Sequence, residues 1–332
     1  MSILIIDSGI NKEFKEFRNK NIKGININTY GTDMIDLKDD SGHGTSCSAE
    51  IFRVNNNIKL NVVKVLNKDS KTSVKKLVES IEYAAEQKDI KIVSMSCSTL
   101  NDEYENEMKK VVEYANWKNK LLICSSDNTN SRSLPSYLKG VIGVQRTNID
   151  IKPYLFNKNK EIQCLCKYNY RLLPCKNEKY RMFGGNSYST AYFSGYISTL
   201  FEDISISNDE LINLICKNSD VNKQIENKVY KDSINEENIF KKEFMNKNKY
   251  NLIKLKILVD LIIEFRNLIQ NKKISKKEEL KISNEAIYLI IGIENVYDFI
   301  KFLEIRLKIH ITYNEVTYNN LESIYSLYDF VF

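Results

Sequence analysis

Short apolar runs alternate with amphipathic stretches through the first two-thirds of the chain. Ser2–Asp7, Leu60–Leu66, Ile90–Ser96, Lys120–Ser125 and Gly140–Val144 are nearly continuous in apolar residues, the pattern of strands covered on both faces. Between them, Ser73–Gln87 and Glu103–Asn116 repeat apolar positions at the helical period. This alternation predicts an α/β fold, a parallel sheet with helices on both faces. Asp220–Asn248 is polar and rich in lysine and asparagine, the composition of a linker. From Lys249 the spacing is helical again. Leu252, Leu255, Leu258, Ile262, Phe265 and Ile269 form one stripe, Val296–Leu307 a second, and Leu321–Val331 a short last helix. The pattern divides the chain into residues 1–219, a linker over 220–246, and an all-α helical bundle over 247–332.

Composition narrows the function classes. With 42% hydrophobic and 28% charged residues among 332, the chain can bury a core and is neither disordered nor fibrous. The net charge of +6 is spread along the sequence, so nucleic acid is not implied as a partner. No apolar run reaches the roughly 18 residues of a membrane span, and the start has no signal-peptide pattern. The 7 cysteines are odd in number and scattered, which suits a reducing, cytoplasmic setting. Cys164, Cys166 and Cys175 lie near one another, but no fourth Cys or His joins them, so neither a metal nor another cofactor is expected. There are 2 histidines and 11 glycines, so a motif that uses both is informative.

Three segments carry candidate chemistry. Asp7-Ser8-Gly9 ends the first strand, where a parallel sheet presents functional groups. Ser41-Gly42-His43-Gly44-Thr45 reads as a loop entering a helix, with glycines that leave the imidazole accessible. Gly184-Gly185-Asn186-Ser187-Tyr188-Ser189 leads into an apolar helix, and the free N–H groups of a helix start favour developing negative charge. Each has an ordinary reading as a turn or a cap. Together, Asp, His and Ser are the parts of an acyl-transfer triad: the imidazole takes the serine proton and the carboxylate orients the imidazole.

The order Asp, His, Ser resembles that of the subtilisin-like serine proteases. Ile3–Gly9 resembles the family's Asp-Ser/Thr-Gly strand end. Gly42-His43-Gly44-Thr45 matches its histidine motif, and Gly185-Asn186-Ser187-Tyr188-Ser189 resembles its Gly-Thr-Ser-Met-Ala serine motif. Val63-Lys64-Val65-Leu66 looks like its Lys-Val-Leu strand. Ile92–Cys97 looks like the strand that pairs with the substrate backbone, which points to Ser96, Cys97 and Ser98 as substrate-binding residues. Leu122–Asn128 looks like its Ala-Ala-Gly-Asn segment. The resemblance covers residues 1–215. It implies a subtilisin-like fold, Asp7, His43 and Ser187 as catalytic residues, and Asn128 as the side-chain donor of an oxyanion hole beside the Ser187 N–H.

The chain departs from the pattern at several points. Asn186 stands where the family usually has Thr, and Ala191 where it has Pro; neither supplies reacting atoms. Asp127 replaces a Gly beside the specificity pocket, where it could attract a basic side chain or point to solvent in a remodelled loop. The catalytic strand begins at Met1, where relatives carry a signal peptide and folding segment. An intracellular enzyme is expected, unless the sequence is a piece of a longer protein.

The C-terminal succession resembles an acyl carrier protein four-helix bundle. The position of the phosphopantetheine serine reads Gly292-Ile293-Glu294-Asn295-Val296, with no serine, so such a module would dock a partner rather than carry an arm. A generic bundle packing on the protease is the other reading, and His310 is expected to be structural. The expected activity is an intracellular serine endopeptidase acting on a peptide or protein, with restricted leader-removal specificity. The alternative is a non-catalytic pseudo-protease that holds a partner through its groove and bundle.

Overall fold

The computed structural model describes residues 2–29, 36–129, 131–149, 151–167, 169–220, 250–270 and 285–332. They fall into two compact units. One takes 2–167, 174–178 and 184–220; the other takes 169–173, 179–183, 250–270 and 285–332.

The first unit is built on strands β1 (Ser2–Asp7), β2 (Ile22–Asn26), β3 (Lys59–Lys64), β4 (Ile90–Met95), β5 (Leu121–Ser125), β6 (Val141–Thr147), β7 (Tyr154–Phe156) and β8 (Cys164–Lys167). They form an eight-stranded sheet in the order β2-β3-β1-β4-β5-β6-β8-β7. All pairings are parallel except β7 with β8. The β1 residues are all buried, which is why the strand is a continuous apolar run up to Asp7. The order changes direction about β1: β3 lies on one side and β4 on the other. That is the switch point where open parallel sheets place ligands.

Among the described residues, this unit has the α-helices α1 (His43–Val54), α2 (Val74–Glu86), α3 (Glu105–Trp117), α4 (Gly185–Ile197) and α5 (Asn208–Lys217). α1 packs on α4, and α2 on α3. Leu4 and Ile6 of β1 share a buried cluster with Leu77 and Ile81 of α2 and Met108 and Val112 of α3. Alternation then turns Ile3, Ile5 and Asp7 to the opposite face, toward α1. A buried bond from Ser194 Oγ to Ser94 Oγ, 2.9 Å, fixes α4 to β4 on that face.

The second unit adds β9 (Arg171–Pro174), β10 (Tyr180–Phe183), α6 (Leu252–Gln270), α7 (Ile287–Ile291), α8 (Val296–Leu307) and α9 (Ile324–Val331). β9 and β10 pair with each other. Leu172 N donates to Val316 O and Tyr318 N to Tyr170 O, each at 2.9 Å. The Tyr180 ring meets Tyr297 at 5.4 Å and Tyr313 at 4.7 Å. The C-terminal stretch is helical, as its periodicity implies, but its unit also takes the two strands from residues 169–183. The stripe on α6 is buried only in the middle, at Leu258, Ile262 and Phe265, while Leu252 is 77% exposed. A helix of 19 residues outruns partners of 5, 12 and 8 residues, so its ends overhang them. His310 is exposed and pairs with Glu304 at 3.2 Å. The expected linker lies almost wholly outside the described residues.

Candidate active site

The expected residues come from three helix or strand ends of the first unit. Asp7 is the last residue of β1, His43 the first of α1, and Ser187 the third of α4. Asp7 Oδ1 lies 2.8 Å from His43 Nδ1. The same oxygen accepts the Ser8 N–H at 2.8 Å and the Ser8 hydroxyl at 3.2 Å. Asp7 Oδ2 is buried and finds no hydrogen bond among the described residues.

The approach of α1 to the strand end depends on Gly44. A Cβ there would stand 2.3 Å from Gly9 O and 3.1 Å from Asp7 Cβ, so any side chain would push His43 away from its partner. Gly42 adopts φ +80°, the left-handed region where side chains are strained.

The helix start is held by a residue that sequence reading passed over. Asp39 is buried; its Oδ1 accepts from Ser41 N at 3.1 Å and Gly42 N at 2.7 Å, and its Oδ2 from Thr45 N at 2.8 Å and Thr45 Oγ1 at 2.7 Å. This carboxylate takes the Thr45 N–H, one of the orphan donors of α1, and the two N–H groups that lead into the helix, and it sits at the favourable end of the dipole. An acidic residue just before the Gly-His-Gly-Thr run was the available signal. Ser8 Oγ accepts from Gly44 N at 2.9 Å and from Ser41 Oγ at 3.0 Å, knitting the strand end to the same loop.

Opposing effects set the charges. Burial pushes the Asp7 carboxyl up, but His43 and the Ser8 donors outweigh it and hold it below the ordinary carboxylate value. Burial pushes His43 down, yet the Asp7 carboxylate raises it well above 6.5. Cys47 Sγ lies 3.9 Å from His43 Nδ1 and 3.6 Å from Ser96 Oγ. Burial pushes this thiol up, so it is a neutral neighbour rather than a thiolate nucleophile.

Ser187 is half-buried, and its carbonyl accepts from Ser96 Oγ at 3.5 Å. Cys47 and Ser96 thus bridge the His43 helix to the Ser187 turn. Ser96, Cys97 and Ser98 continue from β4 and are half-buried; beyond them Thr99 pairs with Leu134 in an antiparallel bridge. Asn128 is exposed on the loop after β5, and its Oδ1 accepts the Asn186 N–H at 3.2 Å. Its Oδ1 is therefore tied to the start of α4, leaving its NH2 as a donor. Asp127 turns its Oδ2 to Thr129, accepting from the backbone N at 2.7 Å and from the hydroxyl.

Among the described residues, Asp7, His43 and Cys47 form a group with ligand atoms within 4.8 Å of one another. Three ligands fall short of a closed zinc shell, and two of these groups already bond to each other. Cys164 and Cys166 place their sulfurs 3.8 Å apart on one face of β8, while Cys175 Sγ turns to Ser41 O.

The subtilase family model matches residues 1–230. The chain belongs to the subtilase family. An intracellular serine protease of Paenibacillus polymyxa is 26% identical over 219 residues, 60% of this chain and 66% of that protein. The subtilase-type proteinase psp3 of Schizosaccharomyces pombe is 36% identical over 87 residues, 25% of this chain and 18% of that one. This subtilase therefore spans less than two-thirds of the length of either relative. A cold adapted subtilisin-like serine proteinase superposes with TM-score 0.56 at 17% identity, covering 70% of this chain and 84% of that one. Sphericase superposes with TM-score 0.54 at 20% identity, covering 65% and 82%. These two likenesses establish the subtilisin-like fold. No helix among the described residues is long and apolar enough to cross a membrane.

Proposed function

We propose that this subtilase is a serine endopeptidase with Asp7, His43 and Ser187 as its triad. The observation that carries the reading is the 2.8 Å contact of Asp7 with His43 at the sheet's switch point, on a helix that Cys47 and Ser96 link to the Ser187 carbonyl. In the proposed reaction His43 Nε2 takes the Ser187 hydroxyl proton as Oγ bonds to the peptide carbonyl carbon. The Asn128 NH2 and the Ser187 N–H receive the oxyanion. His43 then gives the proton to the leaving amine nitrogen as the C–N bond breaks, and water repeats the sequence on the ester. Asp7 keeps Nδ1 protonated throughout. Ser96, Cys97 and Ser98 would bind the substrate backbone. Asp127 would line the specificity pocket with what remains of its carboxylate, one oxygen being engaged by Thr129.

The 7 cysteines, odd in number and scattered, support a reducing and therefore cytoplasmic setting. The biological role we assign is restricted maturation of a peptide, with the C-terminal unit recruiting a partner and accepting no phosphopantetheine. The test is a proteome-derived peptide library incubated with the wild-type chain and with Ser187→Ala, read by mass spectrometry. New termini with the wild type alone are expected. Equal cleavage by both would name a different nucleophile. No cleavage by either would favour the non-catalytic, partner-holding reading.

A further inference from the structure

Asn186 precedes Ser187 and is 2% exposed. Its side-chain NH2 donates to Ser126 Oγ at 3.0 Å and lies 3.1 Å from both Ser126 O and Asp127 O. Its Oδ1 accepts the Arg146 N–H at 2.9 Å, from β6. Its own N–H donates to Asn128 Oδ1 at 3.2 Å, and its carbonyl accepts the Thr190 hydroxyl at 2.8 Å inside the first turn of α4. All its polar groups are thus engaged by the protein. They tie together the Asn128 loop, the end of β6 and the turn that carries Ser187.

We propose that Asn186 is the positioning residue of the oxyanion hole: it sets Asn128 at a fixed place relative to the Ser187 N–H. This rests on the serine-peptidase reading above. The chemistry needs a side chain with donors and an acceptor, planar and two bonds long. Thr offers one hydroxyl on a shorter reach. Asp has no donor for the Ser126 and Asp127 oxygens and buries a charge among them. Gln is one methylene too long. The amide of Asn186 is wholly spent on the Ser126–Asp127 segment and on β6, so it acts on the reaction only through the loop that carries Asn128.

The test uses a short chromogenic peptide and a peptide boronic acid, whose bound anion stands in for the tetrahedral intermediate. The proteins are the wild type, Asn186→Thr, Asn128→Ala and the double variant, each first shown to melt cooperatively. Asn186→Thr is expected to lower kcat roughly 10- to 100-fold with KM within about twofold, since small misplacements at a reacting centre cost that much. Boronate affinity should fall by a similar factor. In the Asn128→Ala background, Asn186→Thr should cost less than about threefold more, because two residues acting as a unit are not additive. A folded Asn186→Thr with wild-type kcat overturns the proposal, as does an equal loss in both backgrounds. If Asn186→Thr does not fold, Asn186→Gln is read by the same cycle. Failure of the wild type to turn over any peptide removes the peptidase reading itself, and is recognised separately.

Discussion

Asp39 holds Thr45 twice, through its backbone N–H at 2.8 Å and its hydroxyl at 2.7 Å. With Ser41 N and Gly42 N on the other oxygen, the carboxylate closes the helix start that presents His43. Asp39→Ala leaves these buried donors unpaired. It should destabilise the protein by about 1–3 kcal/mol in a denaturant titration. An unchanged midpoint would mean that water or another group caps α1.

The pH dependence follows from His43. Its folded value is raised well above 6.5, because the Asp7 carboxylate beside it prevails over burial. The base must be neutral, so kcat/KM should climb through an ascending limb centred above pH 6.5. Asp7→Asn should move that limb down and lower kcat roughly 10⁴-fold. The same shift is a stability statement. A raised folded value means the charged pair contributes fully below pH 6.5 and is lost as pH rises through the folded value. A limb below pH 6 would refute the electrostatic account.

Asn128→Ala should lower kcat by roughly 10²–10³-fold with little change in KM, since an oxyanion donor acts as charge develops. Unchanged turnover would show that another donor dominates.

Much of the fold was legible in the sequence because the strands that build it are buried and local. β1 is apolar to its last residue, and the edges of α2 and α3 match their periodicity within one or two residues. The Asp7, His43 and Ser187 segments stand out through Gly spacing and helix starts, and the first two meet at 2.8 Å. β2 did not, because Ile22–Asn26 is a half-exposed edge strand containing Lys23 and Gly24. β7 to β10 have only 3 or 4 residues each, too few for a period. Asn186 read as a tolerable replacement for Thr, because the meaning of its amide lies in the backbone oxygens of Ser126 and Asp127, some 60 positions away. Residues 169–173 and 179–183 gave no sign that they join the C-terminal unit, whose helices read as self-sufficient.

Lys91 gives an independent check on the fold. It is 1% exposed, and its ammonium donates to Asn119 O, Asn119 Oδ1 and Asn208 Oδ1 at 2.7–2.9 Å. Burial pushes it down to about 8 from 10.5, with Lys120 adding to the effect. Between these values the unfolded chain binds the extra proton, so stability from this group rises with pH. The stability of the wild type relative to Lys91→Met should therefore increase from pH 8 to pH 10. A constant difference would mean that the amine is not buried as described.

Removing residues 250–332 strips the hairpin β9–β10 of the Val316 carbonyl and of the Tyr297 and Tyr313 rings. Limited proteolysis of the shortened chain should then cut first within 169–183. Undiminished resistance there would show that the hairpin stands without the C-terminal helices.

The most direct test of the central claim is covalent labelling of the full chain by a fluorophosphonate, read by intact mass and peptide mapping. Such a probe phosphonylates a serine only where a base takes its proton and an oxyanion hole receives the charge. The account predicts one adduct, mapped to Ser187, faster as pH rises through the His43 limb, slowed in Asn128→Ala and absent in Ser187→Ala. A folded wild type that takes no label, or takes it on another residue, would contradict it.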